Sequence, residues 1–501
     1  MTAPANSPPA AAPAGSSWES LLAAALIGTA RRPPSADVLL AEAAVLSAYR
    51  RAGRLPGEAP RNLPAPAPPD DRPPCSPTAV EVLELVLSGQ VPIPGGVALL
   101  AGQWLEGAAR VGCRVPARLL PRLLELGSAN PALQAALRTV IGPRGRWLAG
   151  HDDRWGWAGR EPVDDLEAAA QRFATAGKAE RPAILEAVRR ADATRGRDLL
   201  SSTWKSDPAA ERAALLVVLA VGLSDGDEPF LEAALDDRSA GVRQVAVDLL
   251  ARLPASRRAA RMAARLQALV TRGRTLSFAP PGEPDAGARR DGINDASPAG
   301  MGASAWRLVQ LVAGAPLSFW SEHVGLSAAE TVALSAADSP PTGRRGTSPA
   351  GPLLLGLESA VVAQASRANS DWAVAVFAHR PSAAVLAAMP ADLAAEQLTR
   401  LLGGGLGPGP AVAEVFAACP GPWPESLGRA VLDRYRQLGA RATLELQAAL
   451  PVLAARLDPA ALPLVETWVV ALADDQGLRR RVQTLGHALS LRAVIQREFP
   501  S

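Results

Sequence analysis

Residues 227–269 constrain this chain more than any other stretch. Val242, Val245, Ala246, Leu249, Leu250 and Leu253 follow one another at intervals of 3, 1, 3, 1 and 3. That spacing places all six apolar side chains on one face of a 3.6-residue helix. Pro254 stops this helix, and Ser256 can cap the next, which carries Met262, Leu266 and Leu269. Upstream, Asp227 can cap a helix with Pro229 in its first turn and Phe230, Leu231, Ala234 and Leu235 on one face. Asp236, Asp237, Arg238 and Ser239 form the short turn between the two, with Ser239 as the next N-cap. One pair of short helices cannot bury its own apolar face, so pairs of this kind must stack on neighbours. A weaker partial copy precedes it: Asp207, Pro208 and Arg212, then Leu215, Leu216 and Leu219. No third copy of comparable quality is visible, so the expectation is an irregular helical array rather than a uniform solenoid.

Composition points the same way. Apolar residues make up 48% of the chain and aromatics only 4%, with Ala and Leu carrying most of the weight. Both are good helix formers, and the β-branched and aromatic residues never cluster as they do in strands. The fold class expected is all-α. Net charge is +3 over 501 residues, and all but two of the 52 basic residues are arginine, the exceptions being Lys178 and Lys205. That ratio, with abundant Ala, Pro and Gly, reads as the codon usage of a GC-rich genome rather than a nucleic-acid footprint. Three widely spaced cysteines, Cys75, Cys113 and Cys419, argue against a disulfide framework and against Cys-x-x-Cys metal or redox chemistry. Residues 1–17 lack the basic start of a signal peptide, and no apolar run approaches the roughly 20 residues of a bilayer span. A cytoplasmic location without membrane association is expected.

Pro/Gly-rich stretches divide the chain. Residues 1–17 read as a disordered tail. An N-terminal helical region, 18–148, contains a linker at 56–79 with nine prolines. A Trp/Arg loop at 149–159 leads to a repeat region at 160–272. A Gly/Pro-rich loop at 273–303 separates this from a C-terminal helical region, 304–500. Further breaks fall at 337–352 and 403–410.

Searches for chemistry are mostly negative. No P-loop exists, since neither lysine sits in the required Gly-rich context. No two histidines are close enough to share a helix face for zinc. Asp291-Gly-Ile-Asn-Asp295 lacks the alternating oxygen ligands of a calcium loop and reads as a solvated acidic turn. Ser202-x-x-Lys205 has no companion Lys-Thr-Gly. No cofactor is expected. One cluster stands out, at residues 142–160: Arg144, Arg146, Trp147, His151, Asp152, Trp155 and Trp157, with Asp153, Arg154 and Arg160. Tryptophan beside arginine can stack a base or clamp a peptide. The competing reading, which weighs more, makes the tryptophans anchors where regular packing stops.

Two resemblances add to this. The helix–turn–helix around 227–253, with its second helix opening Val242-Arg243, resembles a HEAT repeat, and Asp237 and Arg243 match the residues that interlock neighbouring repeats in that family. Four ordered stretches also resemble a bacterial family of unknown function: Trp18 to Arg32, Leu119 to Trp157, Glu211 to Met262, and APLSFW at 315–320 with Asp371-Trp372-Ala373. Members of that family are helical and often encoded beside a SWIM zinc-finger protein, a MoxR-type AAA ATPase and a von Willebrand A-domain protein. The resemblance implies no catalytic residues, and only those neighbours as partners. The leading expectation is therefore a non-catalytic protein-binding scaffold. The alternatives are a HEAT-like nucleic-acid-binding protein and an enzyme using His151, Asp152 or Asp153.

Overall fold

A computed structural model describes residues 18–28, 35–52, 64–159, 166–273, 276–337, 351–404, 410–472 and 475–500. The expected tail at 1–17, residues 56–63 of the expected linker, most of the break at 337–352 and residues 405–409 of the break at 403–410 lie outside the described residues. The chain divides into two compact units, 1–66 and 67–501, and is all-α, with one two-stranded antiparallel sheet among the described residues.

The first unit holds α1 (Trp18–Ile27) and α2 (Ala36–Ala52), which pack on each other. In α1, Leu21 and Ala24 are buried, while Leu22, Leu26 and Ile27 are exposed. In α2, Val38, Leu40 and Val45 are exposed.

The second unit opens with α3 (Pro77–Ser88), α4 (Val97–Val111), α5 (Leu120–Ala129) and α6 (Gln134–Ala149) around one apolar core. Trp104 lies at its centre, its indole N–H donating to the Ala79 carbonyl at 2.8 Å. The C-terminal helix Gln476–Glu498 completes this core from the far end of the sequence. Ile495 and Phe499 are buried in it, and the Phe499 ring meets Trp104 edge-on at 5.2 Å.

The repeat region is more regular than its sequence suggests. It comprises α7 (Leu166–Thr175), α8 (Arg181–Ala191), α9 (Ala193–Thr203), α10 (Ala209–Val217), α11 (Glu228–Ala234), α12 (Ala240–Leu250) and α13 (Arg257–Gln267). These form pairs α7/α8, α9/α10 and α11/α12, with a spacing of 31 residues. Arg181, Arg212 and Arg243 hold equivalent places in the second helices, as do the buried Val188, Leu219 and Leu250. In the first helices Ala169, Leu200, Leu231 and Met262 are equivalent and all buried. Phe173, Trp204, Leu235 and Leu266 form a second row at the same spacing. α13 is thus the first helix of a fourth repeat.

Among the described residues no second helix follows α13 in the fourth repeat. In its place Val270–Arg272 pairs antiparallel with Leu276–Phe278, with Thr271 opposite Ser277. Gly273 and the prolines at 280 and 281 leave no room for a helix there. The expected loop at 273–303 accordingly contains a strand and the short helix Ala286–Arg290. Beyond it, the described residues from Ala303 onward form a run of packed helices around a continuous core that reaches back to Met262 and Leu266. Among the described residues no helix is long and apolar enough to cross a membrane.

Candidate functional site

Arg160 lies outside the described residues, and the rest of those singled out at 142–160 do not form one loop. α6 runs through to Ala149 with a kink inside it, so Arg144, Arg146 and Trp147 are helical, and only the part beyond Gly150 is irregular. The kink has a plain cause. Pro143 has no N–H to give to the Thr139 carbonyl, and Gly142 (φ 60°, ψ −164°) turns the chain away before Arg144 can reach Val140. Both carbonyls are instead capped from outside: the Arg72 guanidinium donates to Thr139 O at 2.7 Å and to Val140 O at 3.1 Å.

Arg72 belongs to a strap, residues 69–75, that crosses the kink. This is the end of the proline-rich stretch expected to be a linker; it is packed rather than free. Asp70 orients Arg72 with bonds from Nε at 2.9 Å and Nη2 at 2.8 Å. That guanidinium holds the Asp70 carboxyl below its ordinary value, outweighing burial. Gly142 is required for reach as well as for its positive φ, because a Cβ there would lie 2.0 Å from Arg72 Nη2. At the strap's end Cys75 N donates to Arg114 O at 3.0 Å and Arg114 N to Pro73 O at 2.8 Å. The Arg114 guanidinium reaches back to Asp70 O at 2.7 Å.

Cys75 and Cys113 form a disulfide beside this bridge, with Cα atoms 5.1 Å apart. This corrects the expectation of no disulfide. The two residues are 38 apart in sequence, and only the turn after α4 brings Cys113 against the strap. Cys419 is free and buried.

Two open grooves flank the strap, of about 790 and 440 Å³, and Asp70 lines both. Arg146 lines the larger with Asp71, Arg138 and Pro143; Arg144 lines the smaller with Arg114, Leu120 and Ile141. The other sequence candidates go elsewhere. Trp157 is buried in the core, donating to Ser128 Oγ at 3.1 Å and pressed against Gly127. Trp155 packs half-buried on the same core. The anchoring reading therefore holds for these two rings. The Trp147 ring lies 4.5 Å from the His151 ring, and His151 Nδ1 is 2.7 Å from Trp147 O. Asp152 is spent on a local turn, accepting from Arg154 N at 3.0 Å and Arg154 Nη2 at 2.7 Å. Those bonds hold its carboxyl below the usual range.

The second residue set, Asp237 and Arg243, divides its work. Asp237 takes two bonds from Arg212 of the preceding pair, at 3.0 and 2.9 Å, and so ties α10 to the turn before α12. Arg243 closes its own turn, donating to the Asp237 and Arg238 carbonyls at 2.7 and 3.0 Å. One repeat earlier, Arg181 grips Asp207 through two bonds of 2.8 Å. Asp291 is no solvated turn: it is buried and takes bonds from Arg261 and Arg265 at 2.6 Å each. Arg189 and Asp227, 0% and 1% exposed, form a further pair inside the repeat core.

Asp70, Arg72, Cys75, Cys113, Arg181 and Arg189 escape a reading of the sequence. Only Gly142-Pro143, a helix breaker within an apolar-periodic stretch, hints that something must cap those carbonyls. Among the described residues no three His, Cys, Asp or Glu are grouped to hold a metal ion. No curated protein and no solved structure matches the chain. A family model does match, over residues 20–499, and the chain belongs to that family, described as Family of unknown function (DUF5691).

Proposed function

We propose that the chain is a non-catalytic protein-binding scaffold whose docking element is the N-terminal helix pair. The observation that carries this is the set of exposed side chains Leu22, Leu26, Ile27, Val38, Leu40 and Val45, with Leu26 80% exposed. Large apolar side chains gathered in one small unit mark protein-binding surfaces. α1 is apolar around most of its girth, which is the pattern of a helix covered on more than one side. The acids and bases of the body support the reading, because Asp152, Asp207, Asp237 and Asp291 are committed to arginine partners that hold the fold.

On this reading the stacked pairs at 166–267 act as a HEAT-like rigid frame in the cytoplasm. The partners proposed are the MoxR-type ATPase, the von Willebrand A-domain protein or the SWIM zinc-finger protein. The test is a quantitative binding assay of the full chain against each, beside Leu22→Asp/Leu26→Asp. Expected is binding to one of them that weakens at least tenfold, about 1.4 kcal/mol, in the variant. Binding to none, or equal binding by the variant, would sink the proposal. A second reading, nucleic-acid binding, rests on Arg114, Arg138, Arg144 and Arg146 along the two grooves. It requires affinity for DNA or RNA that falls steeply with salt.

A further inference from the structure

We infer that the Cys75–Cys113 bond is a redox-operated clamp: oxidised, it holds the strap 69–75 across the kink of α6, and a thiol reductant releases it. Apart from the burial of Cys75 in the core of α3–α6 and its run into Ser76, which caps α3, the strap has few other holds. Pro69, Pro73 and Pro74 carry no N–H, so the backbone offers few donors. What remains is the two-bond bridge between 73–75 and Arg114, the Arg114–Asp70 contact and the Arg72 cap on Thr139 and Val140. The strap's end is fixed by the 75–113 bond and by the run of Cys75 through Ser76 into α3. Pro69, Asp71, Pro73 and Pro74 are exposed, so the strap can lift into solvent without disturbing anything above it. The repeat core and the C-terminal core contain no strap residue, which confines the opening to this block.

The chemistry balances with a dithiol. Its thiolate attacks one sulfur of the disulfide, forming a mixed disulfide and expelling the other cysteine as thiolate. The second thiol then attacks the mixed bond, so that two electrons pass to the protein and the dithiol leaves as a cyclic disulfide. A small-molecule disulfide reverses the sequence. In a reducing compartment such a bond is transient rather than a permanent staple. Release joins the two grooves that the strap separates, uncovers Ile141 and Leu120, and leaves the Thr139 and Val140 carbonyls to water. This device is independent of the N-terminal helix pair, so the two proposals stand or fall separately.

The test uses the full chain, oxidised, then treated with dithiothreitol, then reoxidised with glutathione disulfide. Thiols are counted with a chromogenic reagent, helix content is followed by circular dichroism, and amide hydrogen exchange is read by mass spectrometry. Expected is a gain of two thiols with helix content retained. Peptides holding the Cys75 and Arg114 amides should exchange at least tenfold faster, peptides from 240–250 should not change, and reoxidation should restore the oxidised pattern. Cys113→Ser should show the open pattern without reductant; if it fails to fold, the dithiol arm on the unaltered chain decides. Unchanged exchange at Cys75 and Arg114 after reduction would overturn the clamp. So would loss of helix on reduction, which would make the bond a structural staple, or failure of the bond to form under oxidising conditions.

Discussion

Replacing Arg189 by Met tests whether the repeats are held by buried charge. Arg189 donates to Asp227 Oδ1 and Oδ2 at 2.9 and 3.0 Å, and to the Val221, Ala193 and Leu219 carbonyls at 2.8, 2.7 and 2.9 Å. The Arg189 and Asp227 side chains themselves are fully buried. The variant leaves a fully buried carboxylate whose remaining contacts are the Ser224 N–H at 3.1 Å and Arg197 at 3.7 Å. Breaking one side of a buried pair costs about 3–5 kcal/mol, and each stranded carbonyl adds roughly 1 kcal/mol. A loss of about 5 kcal/mol or more rivals the whole stability of an ordinary domain. The repeat segment should therefore open while the C-terminal core stays closed. Hydrogen exchange resolves the two: peptides from 181–250 lose protection and those from 427–457 keep theirs. Arg189→Met/Asp227→Leu removes the stranded charge, so it should recover about 3 kcal/mol relative to the sum of the single variants. A single-variant cost near 1 kcal/mol, or strict additivity, would refute the argument that this pair acts as one buried unit.

Gly142→Ala should cost about 3 kcal/mol or more in urea unfolding, since the Cβ meets Arg72 and the positive φ disfavours any other residue; a neutral result would show that the strap does not cap the kink. Trp157→Ala should cost about 3–5 kcal/mol by the same measurement, whereas Trp147→Ala, on the open side, should cost less than half as much. Acid should destabilise the repeats. Burial alone would push the Asp291 carboxyl up, but hydrogen bonds from Arg261 and Arg265 outweigh it and hold the group below its ordinary value. A carboxyl depressed in the folded state contributes stability above its unfolded pKa of about 4 and loses it as the pH falls further. The urea midpoint should stay level from pH 7 to 5 and drop below about pH 4, and Asp291→Asn should flatten that drop; a midpoint that rises on acidification contradicts the assignment.

The helices of 227–267 were legible because burial and periodicity agree there; of the three expected caps Ser256 accepts from Ala259 N at 3.2 Å, whereas Ser239 makes no cap bond with its side chain and Asp227 is turned inward to Arg189. Two copies were visible at the 31-residue spacing, through Arg212 and Arg243, but the copy at Arg181 and the half-copy in α13 were not, because apolar residues at positions such as Ala169, Leu200, Leu231 and Met262 are too common in this chain to mark a register. Arg181 was missed because its helix opens on Glu180, Arg181 and Pro182 without the Asp-Pro that announces the next one. At the 142–160 cluster, composition drew attention to the segment by its tryptophans and arginines. It could not say that α6 carries Trp147 and the core takes Trp157, because the deciding partners, Gly127, Ser128 and Arg72, are up to about 70 residues away. Long-range pairings of that kind, the Cys75–Cys113 bond included, leave no periodic trace.

The C-terminal helix has a consequence for biosynthesis. Trp104 is covered by Phe499, Gln103 accepts from Arg492 at 2.9 Å, and Ser76 meets Glu498. A nascent chain would hold the α3–α6 block with an uncovered oily socket until the helix Gln476–Glu498, nearly 400 residues after α3 begins, has cleared the ribosome. Losing a handful of residues downstream of Arg492 would thus injure the opposite end of the polypeptide.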